Sequence, residues 1–214
     1  MTRPPTGPES LASFDPTAVS LAGVQLAQLA VGVLGVLLVT GEFATGLIRV
    51  SFAAVPRRLP LLWAKAIVFG LATLAVAVSA TLAAFLVGQS ILAAERLEVT
   101  LDHPGVARAV LGSALYLCLV GLLGLGLGAF LRGTAAAVAA LLGLLLGPQL
   151  LVGFLPAAWS DRAYRFLPVP AGSAVANVEP DPAALAPWTG FGLFCLYTAV
   201  TLGLAAWRLR RRDA

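Results

Sequence analysis

The sequence is poor in charged residues, and this shortage is its most informative property. Asp, Glu, Lys and Arg together make up 11% of the 214 residues, against about 25% in soluble domains. The chain is instead 59% hydrophobic, with a mean hydropathy of +0.93. These values exclude an ordinary soluble domain, and we interpret the chain as an integral membrane protein.

Residues that could carry out chemistry are equally scarce. The chain has one histidine, His103, and one lysine, Lys65. A single histidine makes no metal site and gives the serines no plausible base. Because Lys65 follows an alanine, no glycine-rich ATP-binding loop of the form Gly-x-x-x-x-Gly-Lys-Ser/Thr can form. Cys118 and Cys195 lie inside apolar runs, where a disulfide framework is not expected. We therefore predict no catalytic, cofactor or metal site, and no enzyme.

Long runs without charge predict an all-α transmembrane bundle. The runs are continuously apolar, which disfavours a β-barrel, and each is long enough for a helix of about 20 residues to cross a bilayer. The predicted organisation is a polar tail at 1–18, a single transmembrane domain at 19–208 and a basic tail at 209–214. The predicted spans are 19–40, 62–92, 106–131, 134–155 and 188–207, with a cytoplasmic segment at 41–61 and an extracellular loop at 156–187.

The basic residues fix the predicted orientation. If the segment at 41–61 is cytoplasmic, nine basic residues fall on the cytoplasmic side and five outside, which follows the positive-inside rule. The C-terminus is then cytoplasmic. Since span ends account for the positive charge, the net charge of +4 gives no reason to expect nucleic acid as a partner.

The stretch between the first two spans has the pattern of an amphipathic surface helix. Its apolar stripe consists of Phe43, Leu47, Val50 and Ala54, and its polar stripe of Glu42, Thr45 and Arg49. Ile48 and Phe52 fall on neither stripe, so apolar surface is left over for a partner. Pro56 and Pro60 then bracket Arg57 and Arg58 before the next apolar run.

Two polar and small-residue patterns lie inside the spans. Gln25 and Gln28 share one face of the first span, where they either hydrogen-bond a neighbouring helix or line a substrate path. Glycines predict close helix packing in the third and fourth spans, where Gly124 and Gly128, and then Gly143 and Gly147, are four residues apart. Gly121 of the third span completes this predicted packing set.

Several motifs in order resemble the permeases of ABC type-2 transporters in their actinobacterial form. The first is Glu42-Phe-x-x-Gly46-Leu-Ile48-Arg49, followed by Pro56-Arg57-Arg58 and Ala64-Lys65. The others are Leu167-Pro-x-x-Ala171-Gly172, Pro187-Trp188-x-Gly190 and the terminal Arg211-Arg212-Asp213-Ala214. In that family, a segment like the first couples the membrane domain to its ATPase.

The resemblance implies a coupling role for one group of residues: Glu42, Phe43, Gly46, Ile48, Arg49, Phe52, Arg57 and Arg58. It also implies a bacterial plasma-membrane location and three partners, namely a cytoplasmic ABC ATPase, a second or sister permease, and membrane lipid. ATP and Mg²⁺ would be bound by the ATPase and not by this chain. The alternative for the amphipathic helix is contact with anionic lipid alone.

The chain departs from the family pattern in two ways. Leu47 stands where the family segment usually has threonine. The family normally has six spans and an amphipathic start, whereas five are predicted here. From this we expect that the native chain begins upstream of Met1 or that the gene is truncated, and mass spectrometry of the native N-terminus would decide.

The sequence thus favours the permease subunit of an ATP-driven transporter, in the direction of export. The alternative is a non-transporting membrane scaffold or immunity-type protein that uses the same bundle to hold partners. An intramembrane enzyme is disfavoured because the spans carry no pair of catalytic groups.

Overall fold

The computed structural model describes residues 16–45, 58–93, 99–152, 162–179 and 181–211. Within these ranges 85% of the residues are helical and none is in a strand. The helices are α1 (Pro16–Ser20), α2 (Val24–Thr45), α3 (Arg58–Leu92), α4 (Val106–Leu131), α5 (Thr134–Val152), α6 (Pro168–Ser173) and α7 (Pro187–Arg211). A 3₁₀ turn, Ala174–Ala176, follows α6.

Five of these helices are long and apolar enough to cross a membrane: α2, α3, α4, α5 and α7. The predicted all-α bundle with five such helices is therefore confirmed for the described part of the chain. The amphipathic segment predicted at 41–61 lies largely outside the described residues.

Helix α4 forms the centre of the bundle. It is 61% buried over its most apolar window, whereas the other four long helices are between 17% and 33% buried. α2, α3 and α7 pack on it, and its small residues permit this close approach. Since the outer helices bury only one side each, their remaining apolar side chains face the membrane, as expected for a bundle surrounded by lipid.

The contacts define the direction of each helix. Gln28 of α2 contacts Tyr116 of α4, and Val36, further along α2, contacts Gly128, further along α4. The two helices are therefore parallel. α7 is also parallel to α4, while α3 and α5 run the opposite way. One end of the bundle therefore carries the starts of α2, α4 and α7, together with α6; we call it the loop end. The other, the basic end, carries the end of α2, the start of α3 and the end of α7.

Tryptophans mark the two membrane boundaries. Trp188 is exposed at the loop end, and Trp63 and Trp207 are exposed at the basic end. At a rise of about 1.5 Å per residue, Trp188 and Trp207 lie roughly 29 Å apart along α7, which matches a hydrocarbon core of about 30 Å. This spacing is the one expected of an aromatic belt at the two interfaces of a bilayer.

The helix limits differ from the predicted spans at several ends. α2 begins at Val24, after a break that follows α1, and it continues to Thr45. α3 begins at Arg58, with Pro60 in its first turn, where the lack of an N–H has no cost. α7 continues to Arg211. A charged residue marks the end of a hydrophobic stretch in the sequence. The helix itself can continue past that residue, because its backbone hydrogen bonds extend into the membrane–water interface.

Candidate functional site

A small polar cavity lies at the loop end between α2, α4 and the segment after α6. Its volume is about 120 Å³. The lining includes Gln25, Ser113, Tyr116, Ser173 and Asn177. All the polar groups are amides and hydroxyls, so this site can form hydrogen bonds but offers no formal charge to a ligand.

A chain of hydrogen bonds runs from the bundle centre to this cavity. Tyr116 donates its O–H to Oε1 of Gln28, and Nε2 of Gln28 donates to Oε1 of Gln25 at 3.0 Å. Tyr116 is fully buried and Gln28 is buried, whereas Gln25 is exposed. Because Oε1 of Gln25 accepts the bond from Gln28, the groups that Gln25 can offer to a ligand in the cavity are its N–H donors. The cavity is thus suited to a ligand that presents a hydrogen-bond acceptor.

The wall opposite Gln25 is a short helical segment that enters the bundle. α6 is almost wholly buried, and a Cβ on Gly172 would lie 2.7 Å from the Tyr116 ring and 2.9 Å from the Phe194 ring. Tyr116 is ten residues into α4, roughly 15 Å below its start. Non-spanning backbone is tolerated at such depth only where protein buries it or where it lines a wet cavity. Here the first condition holds, because five of the six residues of α6 are buried by protein.

Side chains of the spans hold this entering segment in place. Nη2 of Arg108 donates to the carbonyl oxygens of Asn177 and Val178, at 2.9 and 2.8 Å. The Tyr197 hydroxyl donates to the carbonyl of Phe166 at 2.8 Å. Both ends of the segment are therefore tied to the bundle, by α4 and by α7.

The basic end has a different character. Lys65 near the start of α3 forms an ion pair with Glu42 near the end of α2, and both side chains are partly exposed. Arg208 of α7 donates to the carbonyl of Phe130 in the last turn of α4, with its guanidinium 5.0 Å from the Phe130 ring centre. Arginine here satisfies a helix C-terminal carbonyl that would otherwise lack a partner.

The structure describes only part of the predicted coupling group. Glu42 is placed at the end of α2 and is paired with Lys65. The backbone of Phe43 is helical and Arg58 begins α3, but their side chains lie outside the described part. The remaining members of this group also lie outside the described residues: Gly46, Ile48, Arg49, Phe52 and Arg57. Their coupling role stays a prediction.

The predicted packing glycines divide into two sets. Gly121, Gly124 and Gly128 lie along the contact between α4 and the neighbouring helices. A Cβ on Gly124 would collide with the carbonyl oxygen of Gly32, and one on Gly128 would lie 2.9 Å from that of Val36. Gly143 and Gly147 of α5, in contrast, have no neighbouring atom within 4 Å of a Cβ. Any close packing by α5 glycines must involve something other than the described residues.

Gln25 and Gln28 are part of one polar cluster, but sequence reasoning missed the residues that complete it. Tyr116 and Ser113 occupy the same face of α4 one turn apart, and this pattern is visible in the sequence once α4 is known to be buried. No sequence pattern indicates the contact between Arg108 and Asn177, because it joins α4 to a loop 69 residues away.

Comparison of the chain with protein-family models, with curated proteins and with solved structures gave no match.

Proposed function

We propose that this chain is the membrane subunit of an ATP-binding cassette exporter that works with a separate cytoplasmic ATPase. The observation that carries the proposal is the Glu42–Lys65 ion pair. This pair joins α2 to α3 at the basic end of the bundle. A push from an ATPase at this end would then reach two spans at once.

The two ends of the bundle differ in a way that suits two roles, contact with the ATPase at one end and contact with the substrate at the other. The basic end, with Lys65, Arg208, Arg210 and Arg211, would face the cytoplasm and the ATPase. The polar cavity at the loop end would then form the outer part of a substrate path. Hydrogen-bonding amides and hydroxyls in an otherwise apolar wall suit an amphipathic or neutral polar substrate.

A second permease would complete the path. α5 is only 17% buried within the chain, and its glycines at 143 and 147 leave room for a close helix contact. We infer that this face of α5 packs against a second copy or a sister permease. ATP and Mg²⁺ would bind to the ATPase, and this chain would bind neither.

The experiment is purification of the affinity-tagged chain from its native membrane, followed by a measurement of co-purified Mg²⁺-dependent ATP hydrolysis. The test variant combines Arg49→Glu with Phe52→Asp. The matched control combines Arg210→Glu with Arg211→Gln, which changes the charge at the same end by the same amount. We expect the test variant to lose most of the activity and the control to keep it.

Two results would count against the proposal. Equal loss in both variants would indicate a non-specific charge effect at the membrane surface. ATP hydrolysis absent from the wild-type preparation, with the chain intact and folded, would favour the scaffold or immunity-type alternative. Folding is checked for each variant by gel filtration in the same detergent.

A further inference from the structure

The polar cavity at the loop end reaches from the membrane boundary into the bundle. Tyr116 forms its buried end, and the Tyr116 ring lies 5.4 Å from the Phe194 ring, centre to centre. Phe194 follows the boundary residue Trp188 by six residues of α7, or roughly 9 Å along the helix axis. The rim of the cavity is exposed at Gln25 and Asn177. The cavity therefore extends from the interface into the hydrocarbon region.

The lining offers both donors and acceptors to a ligand. Gln25 has free N–H donors, because its oxygen already accepts a bond within α2. The hydroxyl oxygens of Ser113 and Tyr116 can still accept, since each donates its own proton within the bundle. Among the described residues, the side chains of Ser173 and Asn177 have no hydrogen-bond partner and can do either. A hydroxyl both donates and accepts, so hydroxyl groups of a ligand match this lining.

The same lining disfavours a charged ligand. None of the described residues that line the cavity is acidic or basic. Arg108 contacts the same wall without lining the cavity, and its Nη2 is directed to two backbone carbonyls. A charged head group would lose its hydration here without gaining a counter-ion, whereas a hydroxyl can exchange water for the amides and hydroxyls of the wall.

The surface beside the cavity is apolar. Val19 and Leu26, which follow the lining residues Ala18 and Gln25 in the sequence, are 55% and 75% exposed. A ligand whose head enters the cavity can therefore leave a hydrocarbon tail against this surface. The cavity volume of about 120 Å³ is roughly eight to twelve times the minimum that holds one water. A head group of several heavy atoms can thus replace the water.

We propose that this cavity binds the uncharged, hydroxylated head of an amphiphile such as a monoacylglycerol, and that Gln25 selects against a charged head. Gln28 and Tyr116 hold the Gln25 amide in place, so it presents donors at a fixed position and no charge. In the proposed exporter this amphiphile is the substrate, and that assignment alone rests on the proposed function.

The test uses three photoactivatable probes that share one hydrocarbon chain: a monoacylglycerol, an alkyl sulfate and an alkylammonium. Each probe carries a diazirine next to its head, so that label on peptides containing Gln25 or Asn177 reports occupancy of the cavity. The purified full chain is held in phosphatidylcholine nanodiscs, whose headgroups have no hydroxyl that could compete. Labelled peptides are quantified by mass spectrometry.

Two substitutions place a carboxylate on opposite walls of the cavity, Gln25→Glu and Asn177→Asp. Gln25→Glu keeps an oxygen that accepts from Gln28, and both positions are exposed, so neither change should disturb folding. Ser90→Asp is the matched control. It adds the same charge at an exposed position of α3 at the loop end, and Ser90 does not line the cavity.

The monoacylglycerol should label the wild type and Ser90→Asp at least tenfold more than either charged probe does. Each carboxylate in the cavity should lower that label at least fivefold and make the alkylammonium the preferred probe. Equal labelling of the wild type by all three probes, or an unchanged order of the probes in both carboxylate variants, would overturn the proposal. So would a preference of the wild type for the alkyl sulfate, which would assign the site to an anion held by Arg108.

This assay contains no ATPase, so its failure is distinguishable from failure of the proposed function. Selective labelling without co-purified ATP hydrolysis would support the binding site in a protein that is not a transporter. Co-purified ATP hydrolysis with unselective labelling would reject the binding site alone.

Discussion

At the scale of single residues, two facing glycines permit a close approach of α2 to α4. Gly32 of α2 and Gly124 of α4 place their backbones in contact, and a Cβ on Gly124 would collide with the Gly32 carbonyl oxygen. In a membrane, helices gain little by hiding apolar surface from one another, so such close backbone packing is a main source of stability. The glycine at 124 is therefore a structural requirement.

Gly124→Ala should destabilise the bundle by about 1–3 kcal/mol, the range typical of overpacking. The methyl group meets backbone, which cannot rotate away as a side chain could. The measurement is the free energy of unfolding in mixed micelles as the fraction of denaturing detergent increases.

Gly203→Ala on α7 is the control, since a Cβ there has no neighbour within 4 Å. It should leave stability unchanged or raise it by up to ~1 kcal/mol through helix propensity. Equal effects of the two substitutions would show that the α2–α4 contact is less close than the structure describes.

At the scale of helices, one ion pair joins two spans that otherwise touch little. Glu42 and Lys65 are both partly exposed, so their pairing contributes little to overall stability. Its effect is geometric, because it holds α2 and α3 together at the basic end of the bundle. The pair was hidden from sequence analysis, which treated Glu42 and Lys65 as separate features of one charged stretch.

Glu42→Lys should lower the co-purified ATP hydrolysis about fivefold, because two cations then face each other and the helix ends separate. The charge swap, Glu42→Lys with Lys65→Glu, should restore most of that activity, since it rebuilds the pair with opposite polarity. The same purification and ATP hydrolysis measurement applies to both variants. If the swap were no better than the single substitution, Glu42 would act through a partner and not through Lys65.

The segment from Leu167 to Asn177 lies within the loop predicted at 156–187, and its depth in the bundle was not predicted from the sequence. In the structure it forms α6 and a 3₁₀ turn, and α6 is buried between α4 and α7. Proline at the first helical position starts a short helix, and alanine and glycine let it fit between aromatic rings. Composition signals a break in the spans but not the depth at which the chain lies.

At the scale of the whole molecule, orientation is the property that most needs a test. We predict that the basic end faces the cytoplasm. In a background of Cys118→Ala and Cys195→Ala, Asn177→Cys should react with a membrane-impermeant maleimide on right-side-out spheroplasts. Arg210→Cys should react only after permeabilisation.

Val175→Cys provides the internal control for the entering segment. Val175 is fully buried, although it lies only two residues from the exposed Asn177. It should stay unlabelled on both sides. Labelling of Arg210→Cys, and not of Asn177→Cys, on sealed spheroplasts would invert the proposed orientation and place the segment at 46–57 outside the cell.

The sequence by itself determined the fold class, the number of long spans and their approximate limits. These features follow from hydrophobicity over windows of about 20 residues, because each span must satisfy its own backbone within the bilayer. It also marked Gly124 and Gly128 as packing positions and Gln28 as an amide in need of a partner.

Only the tertiary structure decided which helix is central, that Tyr116 is the partner of Gln28, and that α6 enters the bundle. It also decided that α2 and α3 leave a crevice between them. The physical reason is that lipid and protein are equally apolar surroundings for a span. Hydropathy therefore cannot tell a face covered by another helix from a face covered by lipid, and only the packing of small residues and the pairing of polar groups across helices can.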